Sequence, residues 1–213
     1  THMVTPITSG GATAFGSHFL STWDLCERKG FFSFEAPHPA GGRGLKTRFP
    51  PRPVPLGGIV HEGMAAYYLS GPEDPGARDV DYAVAVLEAA AAARAHEWAT
   101  TEERELDLAK GRGLLYDYHQ FYKGDPDIQV LSDKEGPLVE REWVVDFADG
   151  TRFTCRPDLV ATYQGQWVYV LEHKTTSAYG INKLRASMRN SIQGTGECYV
   201  LSKALPDLPV QGV

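Results

Sequence analysis

"RPDLVATYQGQWVYVLEHKTT", residues 156–176, holds two apolar runs that meet at Gln164-Gly165. A Gln-Gly step between such runs reads as a hairpin turn. Counting outward from it, Asp158 is about six residues back and Glu172 about seven forward, so antiparallel pairing sets the two carboxylates nearly opposite each other. Glu172 and Lys174 share one strand face, and His173 between them points the other way. The plain reading is an ion pair between Lys174 and a carboxylate on a solvated face. Leu159, Val160, Val168, Val170 and Leu171 argue against it, because they read as strands buried on both faces. Two carboxylates facing each other in a buried sheet are costly unless something compensates them. A divalent cation would, and carboxylates with carbonyl and water oxygens suit Mg²⁺ or Mn²⁺. A lysine beside such an ion can orient or deprotonate a water, or stabilise a charged transition state, which makes phosphodiester hydrolysis the expected reaction.

Working outward, residues 138–147, 151–163 and 166–174 read as three strands separated by the turns "ADG" and "QG". Helices are predicted over 57–71, 79–99 and 101–123, and a last helix over 181–204. "LPVQGV" at 208–213 reads as a further strand. Residues 17–34 carry Leu20, Trp23, Leu25 and Cys26 near helical spacing, followed by Phe31, Phe32 and Phe34. Residues 35–56 are dense in Pro, Gly and Arg and read as a basic loop holding Arg43, Lys46, Arg48 and Arg52. The expected fold class is α+β (mixed α/β), with a central, mostly antiparallel meander flanked by helices. Residues 1–17 are expected to be a tag remnant and a flexible N-terminus lying on the surface. One domain is expected over 18–213, its helical part at about 18–125 and its sheet and last helix at about 136–213.

The 213 residues suffice for one domain with a sizeable core, and 42% hydrophobic with 23% charged residues fits a globular chain. The formal charge of −6 weighs against coating nucleic acid by electrostatics alone, though not against one local basic groove. No apolar run approaches the ~20 residues that span a bilayer, so no membrane partner is expected. No signal peptide is read at the N-terminus. The three cysteines, Cys26, Cys155 and Cys198, are widely spaced. Together these point to a reducing cytoplasm.

Pro157-Asp158 followed by Glu172-His173-Lys174 resembles the motif of the PD-(D/E)XK nuclease superfamily. "LGGIVHEGMAAYY" is similar to the upstream helix of its RecB-like branch, with His61 in the ligand place. "SIQGTGECYVLSK" resembles the helix after the Glu-x-Lys strand and supplies Gln193; Tyr199 follows six residues on, and Glu197 stands where that branch carries tyrosine. "STWDLCERKGFF" is similar to its N-terminal segment, with Gly30 inserted before the aromatics. The resemblance covers about Ser21 to Lys203 and extends to the CRISPR adaptation nuclease and to viral and phage exonucleases.

The resemblance implies a restriction-endonuclease-like core and a metal-dependent deoxyribonuclease, an exonuclease of recombination, repair or phage DNA processing that acts on DNA ends or single strands. It implies Mg²⁺ or Mn²⁺ held by His61, Asp158, Glu172 and the His173 backbone carbonyl. Lys174 would position or activate the water, and Gln193 would orient Lys174 or the scissile phosphate. Glu140, on the preceding strand, is expected either to reach the metal through water or to be a solvated carboxylate. Arg156, Lys183, Arg185, Arg189, Arg48 and Tyr199 are candidate DNA contacts. One subgroup of the branch ligates an iron–sulfur cluster through an N-terminal and three C-terminal cysteines. Cys155 and Cys198 do not imitate that trio, so no cluster is expected in this chain and Cys26 is read as a buried small hydrophobe. Two alternatives stay open: a catalytically idle nuclease fold serving as a DNA-binding or assembly module, and an iron–sulfur nuclease truncated at its C-terminus.

Overall fold

The structure is a computed structural model, describing residues 4–7, 17–37, 53–123, 127–150, 152–176, 180–188, 191–208 and 210–213. In chain order the elements are β1 (Val4–Ile7), α1 (Ser17–Leu25), α2 (Glu27–Gly30) with a π-helical turn over Phe31–Glu35, α3 (Pro53–Ser70), α4 (Val80–Ala93) and α5 (Thr101–Tyr122). There follow β2 (Ile128–Val130), β3 (Ser132–Asp133), β4 (Gly136–Pro137), β5 (Glu142–Asp146), β6 (Arg152–Cys155), β7 (Leu159–Tyr163) and β8 (Trp167–Leu171), then α6 (Ile181–Met188), α7 (Ile192–Ala204) and β9 (Val210–Gly212). This is the expected α+β class.

Local chemistry sets most boundaries. Asp79, Thr100 and Ser191 accept hydrogen bonds from the backbone N–H groups of Tyr82, Glu103 and Gly194, and so cap α4, α5 and α7. The Ser191 cap corrects the single helix expected over 181–204: α7 starts afresh there. α3 begins at Pro53, four residues inside the expected loop, because proline suits the first turn of a helix, where its missing N–H costs nothing. The rest of the basic loop, Arg43, Lys46, Arg48 and Arg52, lies outside the described residues. β7 and β8 pair from Leu159↔Leu171 to Tyr163↔Trp167, and the turn between them holds Gln164 at φ 52° and Gly165 at φ 65°. Glycine adopts that left-handed conformation without a Cβ penalty.

The meander is present but bent. β5 and β6 pair through Trp143↔Cys155, and the same register returns at an isolated Val139↔Leu159 bridge. Between these points the ladder is interrupted at Arg156–Asp158, where one unbroken strand over 151–163 was expected. Pro157 lies in this break with its φ fixed by the ring, and Glu140, across from Asp158, takes φ 50°. The result is one sheet ordered β1-β5-β6 and another ordered β2-β7-β8-β9, with β9 parallel to β8. β1 also corrects the expectation of a loose N-terminus, since Val4–Ile7 pair antiparallel with β5.

β7 lies between two cores. Leu159 and Ala161 face Ile59, Met64, Leu87 and Leu115 of the α3–α5 layer. Val160, with Val168 and Val170 of β8, faces Val145, Cys155, Val200 and Leu201. The alternation of strand side chains thus divides one hairpin between two buried layers. No helix among the described residues is long and apolar enough to cross a membrane. Cys26 is exposed just ahead of α2, which corrects its expected burial.

Leu87 is fully buried at the meeting of α3, α4 and α5. Leu87→Ala is expected to lower the unfolding free energy by about 3 kcal/mol. Leu106→Ala, at a half-exposed position on α5, is expected to stay within about 0.5 kcal/mol of wild type. Urea unfolding of the two variants checks the contrast.

Candidate metal centre and cleft

Asp158 stands one residue before β7 and Glu172 one residue after β8, so continuing their register sets the two opposite each other, as the sequence predicts. Glu140 joins the same row on the other side, where its N–H donates to the Asp158 carbonyl at 2.9 Å. Three carboxylates from three chain segments therefore meet at the bend of the meander.

The Asp158 carboxylate turns toward α3. Oδ1 accepts a hydrogen bond from His61 Nδ1 at 3.0 Å, and Oδ2 accepts the His173 backbone N–H at 2.5 Å. The His173 ring also approaches, with Nδ1 at 3.4 Å from Oδ2, and packs on Tyr68 and Tyr118 of the helical layer. Burial pushes the Asp158 carboxyl up, but the hydrogen bonds from His173 and His61 outweigh it and hold the group well below the usual carboxylate range. The same hydrogen bond raises His61 against the opposing effect of its burial.

His61, Glu140 and Asp158 present ligand atoms that all lie within 4.8 Å of one another. Glu140 is pushed up to about 7 by burial and then by the charge of Asp158, and its carboxylate meets Arg156 Nε at 3.1 Å. Its left-handed backbone is what delivers it, and such non-glycine conformations cluster at functional sites. Glu140 was expected on the preceding strand, either reaching a metal through water or solvated; the structure sets its carboxylate close enough to His61 and Asp158 to share one ion with them.

Glu172 belongs to a second group. Its side chain is 2% exposed and holds Lys174 Nζ at 2.6 Å. Burial acts to lower Lys174, but Glu172 raises it further, so the side chain is an ammonium. Beyond lies Glu197 of α7, which accepts a hydrogen bond from Gln193 Nε2 at 3.0 Å and is pushed up to about 8 by burial and then by Glu172. Oε1 of Glu172 and Oε2 of Glu197 are both buried, and a hydrogen bond donated by a protonated Glu197 to Glu172 accounts for both. Gln193 thus bonds Glu197, where Lys174 or a phosphate was the expected partner.

One cleft of about 860 Å³ joins the two groups, lined by His61, Glu140, Arg156, Asp158, Glu172, Lys174 and Gln193. Glu62 and Arg94, which sequence reasoning missed, line it too. Arg94 carried a weak signal as the cation that ends a run of five alanines, 89–93. Tyr199 does not line the cleft; it stacks on Phe147 with ring centroids 5.9 Å apart, under Lys203. Arg185 is exposed on α6. The Lys183 side chain and Arg189 lie outside the described residues. Cys155 is buried on β6 with its thiol pushed up by burial, and Cys198 is half-buried on α7.

The donor set fits a divalent cation. Two carboxylates and an imidazole converge; burial and mutual repulsion raise one carboxyl, as expected of like charges brought together without a counterion. Among the described lining residues, three cationic side chains face the four carboxylates Glu62, Glu140, Asp158 and Glu172. With these carboxylates ionised and His61 neutral, as metal ligation requires, a bound dication leaves the cleft net positive.

Two measurements follow. In the metal-free protein, NMR titration is expected to place His61 above the ordinary imidazole range, and Asp158→Asn to bring it down, because burial then acts without its counterweight. The sign for stability is set by both partners. The raised imidazole loses its contribution as pH rises through its folded pKa, and the lowered carboxyl loses its own as pH falls, so the pair contributes most between about pH 4 and 6.5. By calorimetry, Glu140→Gln is expected to weaken Mn²⁺ binding by about tenfold or more; an unchanged affinity removes Glu140 from the ligand set.

Comparison of the chain with protein-family models, with curated proteins and with solved structures finds no match.

Proposed function

We propose that the chain is a metal-dependent deoxyribonuclease of RecB-like PD-(D/E)XK type, hydrolysing DNA phosphodiester bonds. One observation carries this reading. His61 from α3, Glu140 and Asp158 from the bend of the meander, Lys174 after β8 and Gln193 from α7 come together on one cleft, although they are far apart in sequence. Mg²⁺ or Mn²⁺ held by His61, Glu140 and Asp158 would lower the pKa of a bound water and neutralise charge on a phosphate.

The chain's own groups have separable tasks in this reading. Asp158 stays ionised because two histidines donate to it, and so offers a fixed negative ligand. Lys174 is an ammonium anchored by Glu172, so it acts on the reacting phosphate as a hydrogen-bond donor and positive charge, and not as a base. Such a preorganised charge in a partly buried cleft stabilises the anionic transition state more than it does the ground state. The Gln193 amide, tethered to Glu197 at 3.0 Å, offers a neutral polar group on the same wall.

The test is cleavage of end-labelled linear duplex, closed circular and single-stranded DNA with Mg²⁺ or Mn²⁺. Metal-dependent cleavage of linear or single-stranded DNA, with circles spared, supports an exonuclease. Lys174→Ala and Asp158→Ala are each expected to lose at least about 100-fold in rate. No cleavage by wild type with either metal, or full activity in Lys174→Ala, overturns the enzyme reading. DNA binding without cleavage would leave the fold as a binding or assembly module.

A further inference from the structure

We propose that Arg94 is a phosphate-binding residue of the cleft, gripping the nucleic-acid backbone beside the metal trio, and that Glu62 holds its guanidinium ready until a phosphate displaces the carboxylate. The inference rests on the nuclease reading above and specifies how the strand is held.

Arg94 closes the C-terminal end of α4 and reaches over α3, where it pairs with Glu62. The surface of α3 is cut away beneath it. A Cβ built on Gly58 would lie 2.5 Å from Arg94 Nη1. Glycine in a helix interior lowers helix stability, and here its effect is to let an arginine lie across the helix into the cleft. Gly58, His61 and Glu62 are three and four residues apart and so share a face of α3. Gly58, against which the guanidinium lies, is within one helical turn, about 5.4 Å of rise, of His61. That is the scale on which a neighbouring phosphate follows the one at the metal.

The ion pair itself does little for the fold. Its side chains are 35% and 41% exposed, and pairs so open to water contribute little to stability. Its setting is more telling. Arg156 is held by Glu140 and Lys174 by Glu172, so each cation lining the cleft rests against a carboxylate of the same cleft. Once a dication occupies the trio and leaves the cleft net positive, a phosphate competes well with those carboxylates. Guanidinium suits it best, because its fork matches two phosphate oxygens.

The test is DNA affinity measured by fluorescence anisotropy in the Lys174→Ala background, which keeps the strand uncut, with Mn²⁺ present. The probes are a short labelled single strand and its duplex, over a range of salt. Arg94→Ala is expected to bind about tenfold more weakly, with a salt slope shallower by about 1. Gly58→Ala, which gains helix propensity and so folds, is expected to weaken binding too by displacing the guanidinium. Glu62→Gln, which frees Arg94 and removes a negative charge, is expected to bind as tightly as its parent or more tightly. A structural bridge predicts instead that Arg94→Ala and Glu62→Gln weaken binding alike. That outcome, or an Arg94→Ala protein that binds like its parent, overturns the inference while leaving the nuclease reading intact. A parent that binds neither probe removes both.

Discussion

The row Glu140, Asp158, Glu172 governs the rest of the site. It exists because three chain segments run side by side in fixed register, and because both faces of the β7–β8 hairpin are covered. Inside that hairpin no ionised group is tolerable, so charge collects where the pairing stops, at the end away from the Gln164-Gly165 turn. The bend then splits the row. Glu172 obeys strand alternation and follows Val168 and Val170 toward α7, where it meets Lys174 and Glu197. Asp158 sits in the break after Pro157 and is released from alternation, so its carboxylate crosses to His61 on α3. The same parity sends His173 to the helical layer, against Tyr68 and Tyr118.

The electrostatics follow from this division. Four carboxyls crowd one region, and they do not share its cost equally. Asp158 is stabilised as an anion by two histidines. Burial and then the charge of Asp158 raise Glu140, and burial and then the charge of Glu172 raise Glu197. Each half thus holds one carboxyl that protonates readily. Asp158 and Glu140 are driven apart, and neighbouring carboxyls separated in this way are how a site assigns different tasks to one chemical group. Lys174 is held on the cationic side by Glu172, which favours a donor of charge over an acceptor of protons.

Much of this was legible in the sequence. The hairpin, the opposition of Asp158 and Glu172, the helices carrying His61 and Gln193, and the closing strand at 210–212 all follow from periodicity, caps and turn residues. What failed did so for physical reasons. Local pattern cannot report a backbone that flips to φ 50° at Glu140, because no glycine marks the place. It cannot report that Val4–Ile7 find a partner in β5, since that pairing is decided by an open sheet edge more than a hundred residues away. Arg94 enters the cleft only through the packing of α4 on α3. Tyr199 was a candidate through the resemblance, yet two positions from Glu197, which stands in the tyrosine place, is the far side of the helix.

Pro157 stands where these features meet. As the first letter of a motif it carries no chemistry of its own. In the fold it stands in the break between β6 and β7, where its ring fixes φ and the pairing lapses between Cys155 and Leu159. That break lets the sheet bend and frees the Asp158 side chain from the alternation that would have sent it to Glu172's side, while the register, unchanged across it, keeps Glu140 opposite. With alternation unbroken, Asp158 would follow Val160 and point with Glu172 toward α7, away from His61. The break therefore acts on the site through the backbone, by deciding to which layer the central carboxylate belongs.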